Sequence, residues 1–164
     1  MPTDATTITF TADVGERPAA AEIAEIAGIT SASCIATRIR RLSRIITRVY
    51  DEAVRPLGIT ARQFTLLTLL AQQDGITAVQ IRFPLDIGKS TLSRNLKRLF
   101  APGLIAMGPL GGRRGRGLRL TPKGQAMIKE AYPMWQSAQQ KATTVMGQHT
   151  RTTLDSLLAH AERR

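Results

Sequence analysis

The chain has 164 residues, of which 43% are hydrophobic and 4% aromatic, and its formal net charge is +11. This length accommodates one domain with a hydrophobic core but not two large domains. One cysteine and two histidines cannot form an intrachain disulfide or a four-ligand zinc site made by protein alone, so we expect no metal and no cofactor.

The sequence also indicates the compartment. Its start lacks a basic flank followed by an apolar core, and no apolar run reaches the roughly 20 residues that a membrane span needs. A lone cysteine is typical of a reducing interior. We therefore expect a cytoplasmic protein with no membrane partner.

The charge is distributed unevenly along the chain. Residues 1–30 carry five acidic residues and one arginine, whereas residues 76–124 carry ten basic residues and one acidic residue. Such clustering is typical of a protein that binds a polyanion, and a solvated basic face is the plainer alternative.

The N-terminal third predicts an arm followed by a long helix. We expect residues 1–30 to form a flexible acidic arm, with a short Ala-rich helix from Ala19 that ends at Gly28. From Ser31 onward, apolar residues recur at helical spacing until the Pro56-Leu57-Gly58 break. We assign residues 31–57 to dimerisation and to a pocket.

Residues 58–124 predict a winged helix-turn-helix. Thr60–Gln63 and Thr77–Gln80 are capping boxes that begin two helices, and Pro84 limits the second helix to about two turns. Leu92, Leu96, Leu99 and Phe100 then define the apolar face of a third, basic helix. Its outer face carries the residues that we expect to bind DNA in the major groove: Lys89, Ser90, Thr91, Ser93, Arg94, Lys97 and Arg98.

Two short apolar runs around a Gly/Arg tip predict a β-hairpin, the wing. Leu104–Met107 and Leu118–Leu120 form the runs, and Arg113, Arg114 and Arg116 at the tip are expected to reach a minor groove. Four glycines surround these arginines, so we expect a free wing to be mobile and to become ordered on DNA.

The C-terminal region predicts two further helices. Thr121-Pro122 begins one, in which Pro133 is expected to cause a kink, and a last helix covers roughly Thr152 to Ala161. We assign residues 125–164 to dimerisation, because their apolar faces have little to bury against within one subunit. A homodimer suits a palindromic operator in double-stranded DNA.

The sequence resembles the MarR family, the multiple-antibiotic-resistance regulators. The resemblance lies in TRIRRLSRIITRVYDEAVRPLGITARQFTLL (37–67), STLSRNLKRL (90–99), LRLTPKG (118–124) and AYPMWQSAQ (131–139). It implies a homodimeric winged-helix transcriptional regulator, usually a repressor, that a small aromatic or anionic effector or thiol oxidation releases from DNA. The chain departs from the family pattern at Pro84, at Asp86-Ile87-Gly88 and at Gly112, where the family often has Asp.

Several residues are candidates for regulation. Arg41, Tyr50, Tyr132 and Trp135 could line an effector pocket, and ordinary packing is the alternative for the aromatic residues. Cys34 could be a redox-sensing thiol, with Arg38 one turn away favouring the thiolate, or it could be a small core residue.

The function that we predict is a sequence-specific, double-stranded-DNA-binding transcriptional regulator with an effector. The alternatives are a constitutive or architectural DNA-binding protein and a redox regulator acting through Cys34. An enzyme is not expected, because no paired carboxylates, Ser/His/Asp set or metal cluster is visible. Gly88-Lys89-Ser90-Thr91 resembles the end of a phosphate-binding loop, but residue 83 is Phe where the first glycine would stand.

Overall fold

The computed structural model describes residues 20–73, 75–110 and 113–163. It confirms the mainly helical class with a small β-wing. No helix in these ranges is long and apolar enough to cross a membrane. The elements are α1 (Ala20–Ser33), α2 (Ile35–Val54), a 3-10 turn (Arg55–Leu57), α3 (Ala61–Gln72), α4 (Ala78–Leu85), α5 (Lys89–Phe100), β1 (Ile105–Leu110), β2 (Arg113–Leu120), α6 (Pro122–Met146) and α7 (Thr150–Ala161).

The chain divides into two compact units, residues 1–42 and residues 43–164. In the first unit, α1 passes through Gly28 and ends at Ser33. The predicted stop at Gly28 is therefore wrong, whereas the helix predicted from Ala19 is present from Ala20; the flexible acidic arm stays a prediction. A glycine within a helix costs only about 1 kcal/mol relative to alanine, which the helix-favouring alanines and glutamates of α1 offset.

The core of the second unit is built around α3. This helix packs against α5, β2 and α6, and its side chains at Leu66 and Leu67 are completely buried. The other large side chains that are fully or almost fully buried come from α2, α4, α5 and the residue before β1: Val54, Ile81, Leu99 and Leu104. A helix that is apolar on more than one face is buried on more than one face.

Both predicted capping boxes are present. The amide of Gln63 donates to Thr60 Oγ1 at 3.2 Å, and the amide of Thr60 donates to Gln63 Oε1 at 2.8 Å. The second box repeats this pattern at the start of α4, where Gln80 and Thr77 exchange the same two bonds. Each box satisfies two amides that a helix start leaves without partners. As predicted, α4 is short, with eight residues, and it ends one residue after Pro84.

The wing is an antiparallel hairpin in which Ile105 pairs with Leu120 and Met107 with Leu118. Gly103 precedes it at φ 73°, a conformation that glycine adopts without a steric penalty. The amide of Leu118 donates to the carbonyl of Ile76 at 2.8 Å. This bond joins the wing to the segment in front of α4, so the hairpin is attached to the helical core at its base.

The last two helices leave apolar side chains exposed. Thr121 caps α6 by accepting a bond from the amide of Gly124 at 3.0 Å, and α6 continues through Pro133 to Met146. In α7, which begins two residues earlier than predicted, Leu154, Leu157 and Leu158 are exposed. Among the described residues, no packing covers these leucines fully, since 41–61% of each side chain is exposed.

Candidate nucleic-acid interface and effector cavity

The helix that we predict to contact DNA is α5. Leu92, Leu96 and Leu99 are buried on one side, which anchors the helix in the core. Phe100, predicted on the same buried face, is instead 36% exposed. It lies about 100° from Leu99 on the helix, and with Val79 of α4 it lines an open groove of about 610 Å³ between α4 and α5.

The outer side of α5 carries the predicted DNA-binding residues. Six of them are exposed and Thr91 is half-buried. None of the residues of α5 is acidic, and four of them are basic. The set is Lys89, Ser90, Thr91, Ser93, Arg94, Lys97 and Arg98. A short helix with this composition on its outer face can contact phosphates with its cations and base edges with its hydroxyl and guanidinium groups.

Hydrogen bonds along α5 orient two of its side chains. Arg94 Nε donates to the carbonyl of Ser90 at 3.4 Å, and Asn95 Nδ2 donates to the carbonyl of Thr91 at 2.8 Å. The bond from Arg94 uses one of the five N–H donors of its guanidinium group. Arg94 therefore keeps donors for a partner outside the protein.

The turn before α5 is held by a residue that the sequence analysis did not single out. Arg82 Nε donates to the carbonyl of Ile87 at 3.3 Å, which bridges α4 and the turn. Asp86 in this turn has φ 44°, a left-handed conformation that Asp tolerates better than most residues. The N-cap, Gly88, offers no side chain to the first amides of α5. These amides remain available to an anion such as a phosphate.

The sequence predicts the wing arginines at a tip between two short strands, but the structure places Arg113, Arg114 and Arg116 within β2. The backbone of Arg116 pairs with Pro109 and that of Arg113 with Leu110, with an irregularity between Pro109 and Leu110, so the hairpin extends beyond the two apolar runs. The predicted effect of the missing carboxylate at Gly112 concerns a residue outside the described ranges. The predicted contact with a minor groove stays a prediction.

A second feature of the unit is a cavity of about 340 Å³ beside the helix-turn-helix. Tyr50 of α2 and Trp135 of α6 contribute to its wall, together with Leu85 at the end of α4 and Ile87 in the turn that leads into α5. Arg62 of α3 adds a cation. From the sequence, Thr60–Gln63 is assigned only to a capping box, and Arg62 is not predicted to line a cavity. The one available signal is the position of Arg62 in the first turn of a helix whose start could be predicted.

The structure brings together only part of the predicted effector pocket. Tyr50 and Trp135 line the same cavity. Tyr132 is not among the lining residues; it is 50% exposed and stacks on Trp135, with ring centroids 6.0 Å apart and planes inclined by 16°. Arg41 is an exposed residue of the first unit, so its role as a ligand residue stays a prediction.

Tyr50 is fixed by a partner far away in the sequence. Its hydroxyl donates to Gln139 Oε1 at 2.5 Å, and partial burial raises the pKa of the Tyr50 phenol above its ordinary value. Tyr50 also lines a smaller cavity of about 250 Å³ with Gln139 and Leu154, residues of α6 and α7. The Tyr50 side chain is thus a wall shared by two cavities.

Cys34 lies between α1 and α2 and is half-buried. Hydrogen bonds from the Thr37 hydroxyl and the Thr37 amide hold the pKa of the Cys34 thiol below its ordinary value. The predicted favouring of the thiolate by Arg38 is not among these causes. No group of three His, Cys, Asp or Glu residues within the described part of the chain could hold a metal ion.

Known proteins share this architecture. The model of the MarR family matches residues 59–107, from the segment before α3 into β1. The HTH-type transcriptional regulator PecS of Dickeya dadantii is 28% identical over 129 residues, which are 76% of this chain and 78% of PecS. The multiple antibiotic resistance protein MarR of Salmonella typhimurium is 33% identical over 86 residues, which are 52% of this chain and 60% of that protein. The crystal structure of a mutant MarR from E. coli complexed with operator DNA superposes with a TM-score of 0.70 at 26% identity, over 81% of this chain and 96% of that chain.

Proposed function

We propose that this chain is a regulator of the MarR family that binds double-stranded operator DNA through α5 and regulates transcription, as a repressor that a small effector releases. The observation that carries the proposal is the exposed face of α5, which is basic and free of acidic residues. The MarR structure with operator DNA supports the same use of the fold.

Base selectivity is proposed to come mainly from Arg94. It lies opposite the buried leucines of α5 and keeps guanidinium donors for base edges. An arginine in the major groove binds guanine O6 and N7 with two hydrogen bonds, which is the commonest specific contact in protein–DNA complexes. Lys89 and Lys97 are proposed to contact phosphates, which adds affinity without selectivity.

The test begins with selection of a preferred sequence from randomised duplexes, followed by anisotropy titration at fixed salt. Arg94→Ala is expected to cost about 1–3 kcal/mol and to relax base preference at one position. Lys141→Ala is the matched control, since Lys141 is an exposed cation of α6 outside the interface. Equal affinity and equal selectivity of Arg94→Ala and the wild type would remove Arg94 from the interface.

We propose that the protein is a homodimer that binds a palindromic site. The exposed leucines of α7, Leu154, Leu157 and Leu158, support this, as does the exposed apolar side chain of Ile45 in α2. Exposed contiguous apolar surface on a small protein is typical of an interface. Full-length protein is expected to sediment as a dimer at micromolar concentration. Truncation after Thr143 removes α7 and is expected to cause dissociation or aggregation; an intact truncated dimer would contradict this interface.

The effector is proposed to bind in the cavity lined by Tyr50, Arg62 and Trp135. A small aromatic or anionic molecule suits it, because the wall offers aromatic faces and one cation. Leu85 and Ile87 in the same wall precede α5 directly, so a ligand that displaces them moves the recognition helix. Such a ligand shifts the equilibrium between the DNA-binding and the released arrangement of α5 only if it binds the two arrangements with different affinity.

Trp135 is the only tryptophan, so its fluorescence reports directly on this cavity. Aromatic carboxylates are titrated while emission and operator affinity are recorded together. Quenching that accompanies weaker operator binding supports the effector role, with Arg62→Gln expected to weaken both effects and exposed Arg55→Gln expected to change neither. Unchanged operator affinity at saturating quenching would instead favour a constitutive DNA-binding protein.

Oxidation of Cys34 is a second candidate for regulation, favoured by the hydrogen bonds from Thr37 that lower the thiol pKa. Hydrogen peroxide is expected to weaken operator binding by the wild type and to leave Cys34→Ser unaffected. Equal responses of the two proteins would exclude Cys34 as the sensor.

A further inference from the structure

The start of α5 is held differently from the starts of α3 and α4. Each of those two helices begins with a capping box, whereas Gly88, the N-cap of α5, has no side chain that could bond to the first amides of the helix. A helix start without a capping side chain is positioned by other contacts. One such contact is the bond that Arg82 Nε donates to the carbonyl of Ile87 at 3.3 Å.

The backbone between α4 and α5 is weakly held by its own local geometry. Pro84 in the last turn of α4 has no N–H, so it cannot donate the usual helix bond to the carbonyl four residues earlier. Asp86 has φ 44°, in the left-handed region that is less stable than the right-handed region for a residue other than glycine. Such a conformation persists where the surrounding structure holds it. A bond from a neighbouring helix therefore contributes more here than at a regular helix end.

Arg82 holds the one residue of this turn that also packs against the core. It lies in the last turn of α4, and its bond reaches a carbonyl five residues later. The side chain of Ile87 is half-buried, packs against the core and lines the cavity of Tyr50. Ile87 is therefore held by its own side chain and, through its carbonyl, by Arg82. Because α5 begins two residues later, at Lys89, these two contacts determine where the helix starts.

We propose that Arg82 is a positioning residue for base selectivity: its bond to Ile87 fixes the start of α5 and thereby the fit of α5 to base edges. This rests on the proposed binding of operator DNA by α5. Hydrogen bonds to bases weaken steeply when distances and angles change, whereas the attraction between a cation and a phosphate weakens gradually. Loss of the bond is therefore expected to reduce selectivity more than general affinity for DNA.

A phosphate contact is the competing role for Arg82. Its side chain lines the groove between α4 and α5 together with Lys89 and Lys97, so its charge is placed beside two cations that are predicted to contact DNA. A phosphate contact adds affinity for every duplex and carries no information about the sequence. The two roles therefore differ in whether selectivity depends on the hydrogen-bond donor or affinity depends on the charge.

Two neutral variants separate these roles, because both lose the same charge. Arg82→Gln places an amide nitrogen as many bonds from Cα as the arginine Nε, so it keeps a donor for the Ile87 carbonyl, whereas Arg82→Met places a methyl group there. The measured quantity is the ratio of affinities for the duplex that the wild type prefers and for a scrambled duplex, in anisotropy titration at fixed salt. Arg82→Met is expected to lower this ratio about three- to tenfold, and Arg82→Gln is expected to keep the wild-type ratio.

Methyl NMR without DNA makes the second measurement independent of the proposed function. The methyl signal of Ile87 is expected to shift in Arg82→Met and to return toward its wild-type position in Arg82→Gln, since only the latter keeps a donor for the Ile87 carbonyl. Arg55→Met is the control, because Arg55 is an exposed arginine of the 3-10 turn after α2 and is expected to change neither the signal nor the ratio.

Equal affinity ratios for Arg82→Gln and Arg82→Met would overturn the positioning role and favour a phosphate contact. An Ile87 signal that is the same in the two variants would also overturn it. A wild-type protein with no preferred duplex would instead contradict the proposed function, and the Ile87 signal would still report whether Arg82 holds the turn.

Discussion

Gly124 lies where the first turn of α6 packs tightly against Leu104 and Leu120 at the base of the wing. A Cβ atom there would stand 2.6 Å from Leu120 Cδ1 and closer still to the carbonyl oxygen of Leu104. Ordinary contacts of Cβ begin near 3.4 Å. The carbonyl of Leu104 cannot yield easily, because it accepts bonds from the amide and the hydroxyl of Thr121. In Gly124→Ala, the first turn of α6 must therefore move by about 1 Å.

The expected cost has two parts. Overpacking of a closely packed site costs about 1–3 kcal/mol. The movement also lengthens the hydrogen bond that the amide of Gly124 donates to Thr121 Oγ1, and this helix cap is worth about 1 kcal/mol. Together these lower the free energy of unfolding by roughly 2–4 kcal/mol, and Tm by about 4–16 °C for a chain of this length.

The assay is urea and thermal unfolding followed by circular dichroism, at one protein concentration because a dimer makes Tm depend on concentration. Gly28→Ala is the matched control, since a Cβ at Gly28 in α1 meets no atom within 4 Å. Alanine favours helix over glycine, so this control is expected to raise stability by about 0.5–1 kcal/mol. If Gly124→Ala unfolds at the same urea concentration as the wild type, the packing argument at Gly124 is refuted.

Three further predictions concern the wing and the two side chains with shifted pKa values, Cys34 and Tyr50. Arg114→Ala is expected to weaken operator binding and to reduce the slope of log affinity against log salt by about one; an unchanged slope would show that Arg114 does not contact DNA. Because its pKa is lowered, the Cys34 thiol is expected to react with iodoacetamide at a lower pH than a free thiol does. The hydrogen bonds to the thiolate contribute to stability above the ordinary thiol pKa, and this contribution is lost as pH falls through the lowered pKa. Thr37→Val is expected to shift the pH profile of the reaction rate to higher pH, and an identical profile would contradict the role of Thr37. In ultraviolet titration, the Tyr50 phenol is expected to ionise above the usual tyrosine pKa of about 10. Its contribution to stability is therefore complete below about pH 10 and is lost as pH rises through the raised pKa of Tyr50. In Tyr50→Phe this late ionisation is expected to be absent, and a titration curve identical to that of the wild type above pH 10 would contradict the assignment.

Local sequence alone determined the parts of the fold that depend on neighbouring residues. The capping boxes at Thr60 and Thr77, the cap at Thr121 and the apolar stripe of Leu92, Leu96 and Leu99 all act over three or four residues. Hydrogen bonds and periodicity at that range follow directly from helix geometry, so the helix-turn-helix and its basic outer face could be predicted.

Only the tertiary structure decided the features that join distant segments. The bond from Tyr50 to Gln139 spans 89 residues, and the approach of Gly124 to Leu104 depends on how α6 meets the wing. Arg62 and Trp135 share a cavity only because α3 and α6 pack together. No local pattern contains these distances, since they result from how whole helices pack, and packing depends on the shapes of all the buried side chains at once.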